Sequence, residues 1–306
     1  MSRGAAIAAF LGVVLVLPIF VVGVVNRTKA LWVGRRGAPM LQLAFDLVRL
    51  LRKRPVYSST TTLVFRLAPY VVFATALGSG VVVPMLGQKS ALSFPFDFVW
   101  FAYVWGLGRV ALMLAAMDAG SSFEGMGASR EATFAALLEP TLFLVAGALC
   151  TASGQRSLEG AIAMRIDGGG SLVVWAASVI ALFIVVQVES ARMPVDDPST
   201  HLELTMVHEV MTLDHSGPDL AALQYGSAIK MTIGIALLAA LLNPWSSSHG
   251  AGLAAAANVG ISLAIAVVIG TVESVIARFK LSTVPQYILA ATIAAVVALI
   301  ATSWRA

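Results

Sequence analysis

Cysteine is nearly absent. The 306-residue chain has one, Cys150, set in an apolar run. One thiol makes no internal disulfide, and an iron–sulfur cluster takes about four cysteine ligands, so any redox centre serving this chain sits on another protein. Charge is scarce too: Asp, Glu, Lys and Arg make up 12% of residues, against 58% hydrophobic and a mean hydropathy of +0.88. That balance excludes a soluble domain and marks an integral membrane protein. The formal net charge of +4 does not signal nucleic acid. Lys and Arg gather at the edges of apolar runs, without interleaved aromatics. No nucleophile elbow or Gly-rich phosphate loop occurs. His208-Glu209 starts a zinc-protease pattern, but Thr212 stands where the second histidine is required, so no metal site is expected in this chain.

Apolar runs are abundant. Eight are long enough to span at roughly 17–25 residues each: about 5–25, 64–86, 98–117, 136–153, 171–188, 224–243, 253–272 and 285–303. Ala5 to Val25 reads as a retained first span, because no small-x-small cleavage site precedes Asn26-Arg27. The expected fold is an all-α membrane protein. About eight transmembrane helices form one bundle, and 1–306 is a single polytopic domain. The connection after the first span holds Arg27, Lys29, Arg35, Arg36, Arg49, Arg52, Lys53 and Arg54 against Asp46 alone, which places it in the cytoplasm and both termini outside. Within it, Leu41 to Lys53 has an amphipathic pattern. Gln42, Asp46, Arg49 and Lys53 share one polar face, as in a helix lying on the bilayer. It reads either as a basic anchor on anionic lipid or as the rim of an entrance below a docked partner.

Polar chemistry concentrates in Glu189 to Asp219, which holds seven of the sixteen acidic residues and three of the four histidines. The charge rule puts this stretch in the cytoplasm. Asp197-Pro198 reads as a helix start, with Thr200 and Glu203 as an alternative capping box; a helix over about 198–213 follows, and Gly217-Pro218 ends the segment. Arg109, Glu139, Glu189, Lys230 and Glu273 lie at membrane depth, where each charge costs about 2.5–3.5 kcal/mol. The plainer reading is a set of ion pairs that fix helix register. The sharper one is a proton relay over Glu139, Glu189, Asp196, Glu203, Glu209 and Asp214, supported by Arg109, Arg192, Lys230 and Glu273. His201 and His208, with Arg35, Arg36, Asp46 and Arg49, read as contacts to a peripheral arm or a quinone entrance.

Three loops carry a specific resemblance. ESARMPVDDPSTHLELTMVHEVMTLDHSGPDLA, GRRGAPMLQLAFDLVRLLRK and GMGASREATFAALLEP resemble the membrane subunit of group 4 nickel–iron hydrogenases, of the hydrogenase-4 component C and formate hydrogenlyase type. That family is homologous to the family of subunit 1 of complex I, also called its H subunit. The resemblance implies a prokaryotic cytoplasmic (inner) membrane subunit of a respiratory energy-converting complex. It would anchor hydrogenase large and small subunit-like proteins and an iron–sulfur subunit, and abut antiporter-like membrane subunits. The nickel–iron centre and iron–sulfur clusters would lie on those partners, with none in this chain. The family's Glu-x-x-Arg-x-Pro-x-Asp core falls on Glu189, Arg192, Pro194 and Asp196, its next glutamate on Glu203, and its fourth-span glutamate on Glu139. Its later Glu-Tyr-Ser falls on Asp214-His215-Ser216 after a three-residue insertion. Asn26-Arg27-Thr28-Lys29 and Arg36-Gly37-Ala38-Pro39 depart from the complex I pattern and side with the hydrogenase branch. The expected function is a non-catalytic coupling subunit that links redox chemistry in a docked arm to proton or sodium translocation. The alternative is a quinone-site-forming subunit of a complex I-like quinone oxidoreductase. A stand-alone transporter is disfavoured by the absence of repeat halves.

Overall fold

The computed structural model describes residues 3–87, 89–163, 168–196, 206–245 and 250–303. The described residues are all helix and loop, with no strand. In chain order the helices are α1 (Arg3–Trp32), α2 (Gln42–Leu51), α3 (Leu63–Gly80), α4 (Asp97–Asp118), α5 (Ser122–Ser153), α6 (Leu158–Ile162), α7 (Gly169–Glu189), α8 (Gly217–Leu242), α9 (Ala251–Val275) and α10 (Val284–Thr302). Among the described residues eight helices are long and apolar enough to cross a membrane, in the order expected from the apolar runs.

The centre of the bundle is α8. It is buried along almost its whole length and packs against α1, α2, α3, α7 and α9. Small residues allow this. A Cβ on Gly234 would lie 3.0 Å from Val186 Cγ2, and one on Gly226 would lie 3.3 Å from the Phe73 backbone. With lipid outside, close packing holds helices together where hydrophobic exclusion cannot. Around α8, α3 lies on α4, α10 on α7 and α5, and α1 on α9. Helix α1 turns Phe10, Val14, Leu17, Val21 and Val25 inward at steps of three and four, and leaves Leu11, Leu15, Val16 and Phe20 exposed. An outer face as apolar as the inner one suits a hydrocarbon solvent.

Two helix starts and two helix ends differ from expectation, α3 stopping at Gly80 rather than near 86. Helix α1 runs on to Trp32, past Asn26-Arg27. At 1.5 Å per residue it is about 45 Å long, against a hydrocarbon core of about 30 Å, so its last turns project beyond the apolar layer. Lys29 uses that projection to reach Glu273 of α9 at 2.9 Å. Helix α5 starts at Ser122 rather than near 136. Its Gly/Ser-rich beginning is helical because the 206–212 segment rests on it: a Cβ on Gly127 would meet Val210 Cγ1 at 2.3 Å. Gly217-Pro218 opens α8 rather than ending the polar stretch. Proline suits the first helical turn, whose N–H groups have no intrahelical acceptor, and Gly217 takes φ +57° against the Arg54 backbone. Half of the expected 198–213 helix, 198–205, lies outside the described residues, as do the Asp197 and Thr200–Glu203 caps; the other half is not α-helical and holds one 3₁₀ turn, Glu209–Thr212.

The two ends of the bundle are distinct. At one end meet the end of α1, α2, the loop after α7 and the α9–α10 loop. Phe279 N donates to Pro194 O, and Val56 N donates to Ser216 Oγ. At the other end Leu158 N donates to Asp97 Oδ1, and Asn258 Nδ2 donates to Met85 O. The first end carries most of the Lys and Arg. On α2, Gln42 Nε2 donates to Asp46 Oδ1 at 2.9 Å; Lys53, expected on the same face, lies beyond the helix end at Leu51. The helix leaves Leu41, Phe45, Val48 and Leu51 exposed.

Candidate functional site

Arg109 is the hub of the interior. Helix α4 carries it to a position 6% exposed, where it meets three carboxylates from two other helices. Its Nε lies 3.5 Å from Glu131 Oε1 and its Nη1 3.3 Å from Glu139 Oε1, both from α5. Its Nη2 donates to Glu189 at the end of α7. Lys230 of α8 closes on Glu189 Oε2 at 2.5 Å, with its ammonium over the Trp105 ring. Glycines on α4 make room: a Cβ on Gly106 would sit 3.2 Å from Glu139 Oε1, and one on Gly108 would sit 2.4 Å from Thr75 Oγ1. A pair at 4 Å gains about 4 kcal/mol at an effective dielectric of 20, enough to hold charges that are costly to bury. Among the described residues two cations face three carboxylates, one carboxylate in excess.

Glu131 was not among the expected relay residues. The fourth span was expected over about 136–153, which left Glu131 before its start. On the real helix it stands eight residues before Glu139, about 80° round the helix at 100° per residue. The charge at Glu139 is the outermost of the cluster: its side chain is 48% exposed, on the lateral side of the bundle.

Between this cluster and the basic end lies the loop after α7. Asp196, 1% exposed, ties it down. Its Oδ2 accepts from the backbone N–H groups of Val207 and His208, each at 3.1 Å, and its Oδ1 pairs with Arg278 at 2.9 Å. Arg192 and Lys29 both pair with Glu273, at 3.6 and 2.9 Å. Arg130 Nη1 donates to Met206 O at 2.9 Å. These bonds position His208 and Glu209 on the wall of a 310 Å³ cavity that opens among α1, α2 and α8 and is also lined by Asn26, Arg192 and Gln224. A smaller void of 30 Å³ lies behind it, lined by Arg109, Glu131, Lys230 and His208. Burial holds the His208 imidazole neutral, pushing its pKa down to about 4, and the nearby Lys230 ammonium adds to the effect.

The remaining expected residues fall elsewhere. Arg35, Arg36 and Arg49 are exposed at the basic end, with Asp46 half-buried on α2. Asp214 is exposed, its backbone N–H donating to Glu124 at 3.2 Å, and the structure does not bring it to the Arg109 cluster. His201 and Glu203 lie outside the described residues. A second polar group is buried apart from the cluster. His215, 3% exposed, stacks on Phe65 with ring centroids 3.9 Å apart, and neither ring nitrogen has a hydrogen-bond partner. Desolvation pushes its pKa down to about 4. Nearby, Asp219 accepts from Tyr70 at 3.0 Å. Burial, then the hydrogen bond to Asp219, pushes the Tyr57 pKa up to about 12.

Comparison with known proteins adds the family context. The NADH dehydrogenase family profile matches residues 5–303. Hydrogenase-4 component C of Escherichia coli (strain K12) is 27% identical over 249 residues, 81% of this chain and 78% of the relative. Formate hydrogenlyase subunit 4 of the same organism is 26% identical over 274 residues, 86% and 87% of the two chains. The H subunit of the NADH-quinone oxidoreductase of Rubrobacter xylanophilus is 25% identical over 217 residues, 70% of this chain and 64% of the relative. A chain of the membrane-bound sulfane sulfur reductase, an archaeal respiratory membrane complex, superposes with a TM-score of 0.80 at 18% identity, over 97% and 98% of the two chains. At that identity the likeness is one of fold.

Proposed function

The chain belongs to the NADH dehydrogenase family, and from that membership we propose that it is the membrane-anchoring, coupling subunit of an energy-converting hydrogenase-like complex. Redox chemistry runs in a peripheral arm docked at the basic end. This chain makes and breaks no covalent bond beyond those to protons. It carries protons from the 310 Å³ cavity at that end toward the lateral side of the bundle. The basic end faces the cytoplasm by the positive-inside rule, which puts both termini outside in a prokaryotic inner membrane. Peripheral hydrogenase large and small subunit-like proteins and an iron–sulfur subunit cover that end. Antiporter-like membrane subunits take up the lateral side where Glu139 emerges. The nickel–iron centre and clusters belong to those partners.

One observation carries the reading. Arg109 joins carboxylates from α5 and α7 into a single buried cluster, which begins behind the cavity wall and ends at the half-exposed Glu139. A purely structural pairing would balance its charges and close its outer end to lipid. The cluster has an extra carboxylate and an open end, which supports conduction. Glu209 stands at the entrance on the cavity wall, and Asp196, Arg192 and Glu273 hold that wall in place.

The test is isolation of the complex in mild detergent, with its proteins, metals and quinone measured in one sample. Nickel and iron–sulfur subunits together with antiporter-like proteins support the hydrogenase reading. Bound quinone with iron but no nickel would instead support the complex I-like reading, with the 310 Å³ cavity as the ligand's place. In the same complex Glu139→Gln is expected to lower coupled proton movement about tenfold or more. Unchanged coupling would sink the relay.

A further inference from the structure

The route from cavity to cluster can be traced wall by wall. His208 and Ser227 line both the 310 Å³ cavity and the 30 Å³ void behind it. Of the two, His208 alone offers one nitrogen to take a proton and another to release one. In the void, Glu131 is the sole carboxylate among the described lining residues. Glu131 and Arg109 also line a third space of 10 Å³, shared with Glu189 and Asp196. A water needs about 10–15 Å³ of such space, so the void takes about two waters and the third space about one. Arg109 holds its three carboxylates unequally. Its Nη1 and Nη2 donate hydrogen bonds to Glu139 and Glu189, whereas Nε makes none and faces Glu131 by charge alone at 3.5 Å. Lys230 is directed to Glu189. Glu131 is thus the carboxylate with the fewest bonds to give up on protonation.

We propose that His208 and Glu131 form the link through which protons leave the cavity and enter the Arg109 cluster, Glu131 being the first buried carboxylate to receive them. This rests on the relay reading above and names its entry step. A hydronium ion in the cavity gives a proton to one nitrogen of neutral His208 and is left as water, and the other nitrogen gives its proton to water in the void. That water protonates Glu131. After the two transfers His208 is neutral in its other tautomer, a turn of its ring restores the first, and a carboxylate has become a carboxylic acid. Lys230, Asp196 and Glu189 are the charged groups around the imidazole. Asp196 fixes the His208 backbone but stands apart from the void.

The experiment uses the intact complex in lipid vesicles, with electrons supplied by reduced methyl viologen and proton movement followed by a pH-sensitive dye. His208→Ala and Glu131→Gln should each lower protons moved per electron about tenfold or more. Added imidazole, entering through the cavity, should restore much of the loss in His208→Ala, and Glu131→Asp should outperform Glu131→Gln. A merely structural His208 would not respond to imidazole. Where His208→Ala does not assemble, His208→Gln serves, and it must lose the same proton movement. Normal proton movement in an assembled His208 or Glu131 variant overturns the inference, as does an imidazole-insensitive loss in assembled His208→Ala. Glu139→Gln separates the two levels. If it also conducts normally, the whole relay fails. If it fails while Glu131→Gln conducts, only this entry step is wrong.

Discussion

Acid should loosen this protein through a residue that takes no part in the proposed conduction. His215 is 3% exposed, stacked flat on Phe65, with both ring nitrogens unpartnered, and its pKa is lowered from 6.5 to about 4. The unfolded chain therefore binds a proton at His215 more readily than the folded one. Its contribution to stability is intact above pH 6.5 and is lost as pH falls toward about 4. At one pH unit per 1.36 kcal/mol the full difference is about 3 kcal/mol, and by pH 5 about 2 kcal/mol of it is gone. His215→Phe removes the titrating group, keeps the stack on Phe65 and strands no hydrogen-bond partner. Replacing an unpartnered polar group by an apolar one of similar shape is close to neutral at neutral pH. Thermal unfolding of the purified chain in detergent, followed from about pH 8 to pH 5, checks this. The parent should fall away from the variant below pH 6.5, by about 2 kcal/mol at pH 5. His208, also lowered to about 4, carries the same sign, so the variant keeps a residual slope. Parallel curves for parent and variant would refute a neutral, desolvated His215.

Three further outcomes are expected. Gly127→Ala drives a methyl group to 2.3 Å from Val210 Cγ1. It should cost about 1–3 kcal/mol and make the 206–216 segment cleave earlier in limited proteolysis. Glu273→Gln removes the carboxylate that Lys29 and Arg192 share and should cost about 3 kcal/mol in thermal unfolding; a second change, Lys29→Met, should recover part of it. Arg109→Met leaves Glu131, Glu139 and Glu189 with Lys230 as their neighbouring cation and should cost about 3–5 kcal/mol. Arg109→Lys should fall between, because one ammonium cannot replace a planar fork that reaches three carboxylates; melting temperatures of the three proteins rank them.

The spans were legible because hydropathy acts on whole segments and needs no partner. Arg109, Glu139, Glu189, Lys230 and Glu273 were legible for the complementary reason: a charge inside such a segment costs enough to mark it. Who pairs with whom was not legible. Arg109 meets Glu139 and Glu189 across 30 and 80 residues, and no local pattern encodes that. Composition misled at both disputed helix starts. Gly and Ser before Glu131 read as a loop, yet small residues are what lets a loop rest directly on a helix. Gly217-Pro218 read as a stop, although proline after glycine fits the opening turn of α8 equally well. Misplacing the start of α5 hid Glu131. The stacked ring and two idle nitrogens of His215 are features that only three dimensions reveal.

The length of α5 has a mechanical consequence. Its 32 residues make a rod about 48 Å long at 1.5 Å per residue, well over the thickness of the apolar layer. One end stands out at the basic side with Val210 and Met211 seated on Gly127; Glu131 and Glu139 are fixed farther along the same rod. Pro140 follows Glu139 at once and removes the backbone hydrogen bond to Ala136, so the rod is softest in the turn 136–140. A push on the seated loop therefore swings a lever arm with its fulcrum at Pro140. Glu131, farther from the fulcrum, travels through the wider arc against Arg109, and Glu139 barely moves.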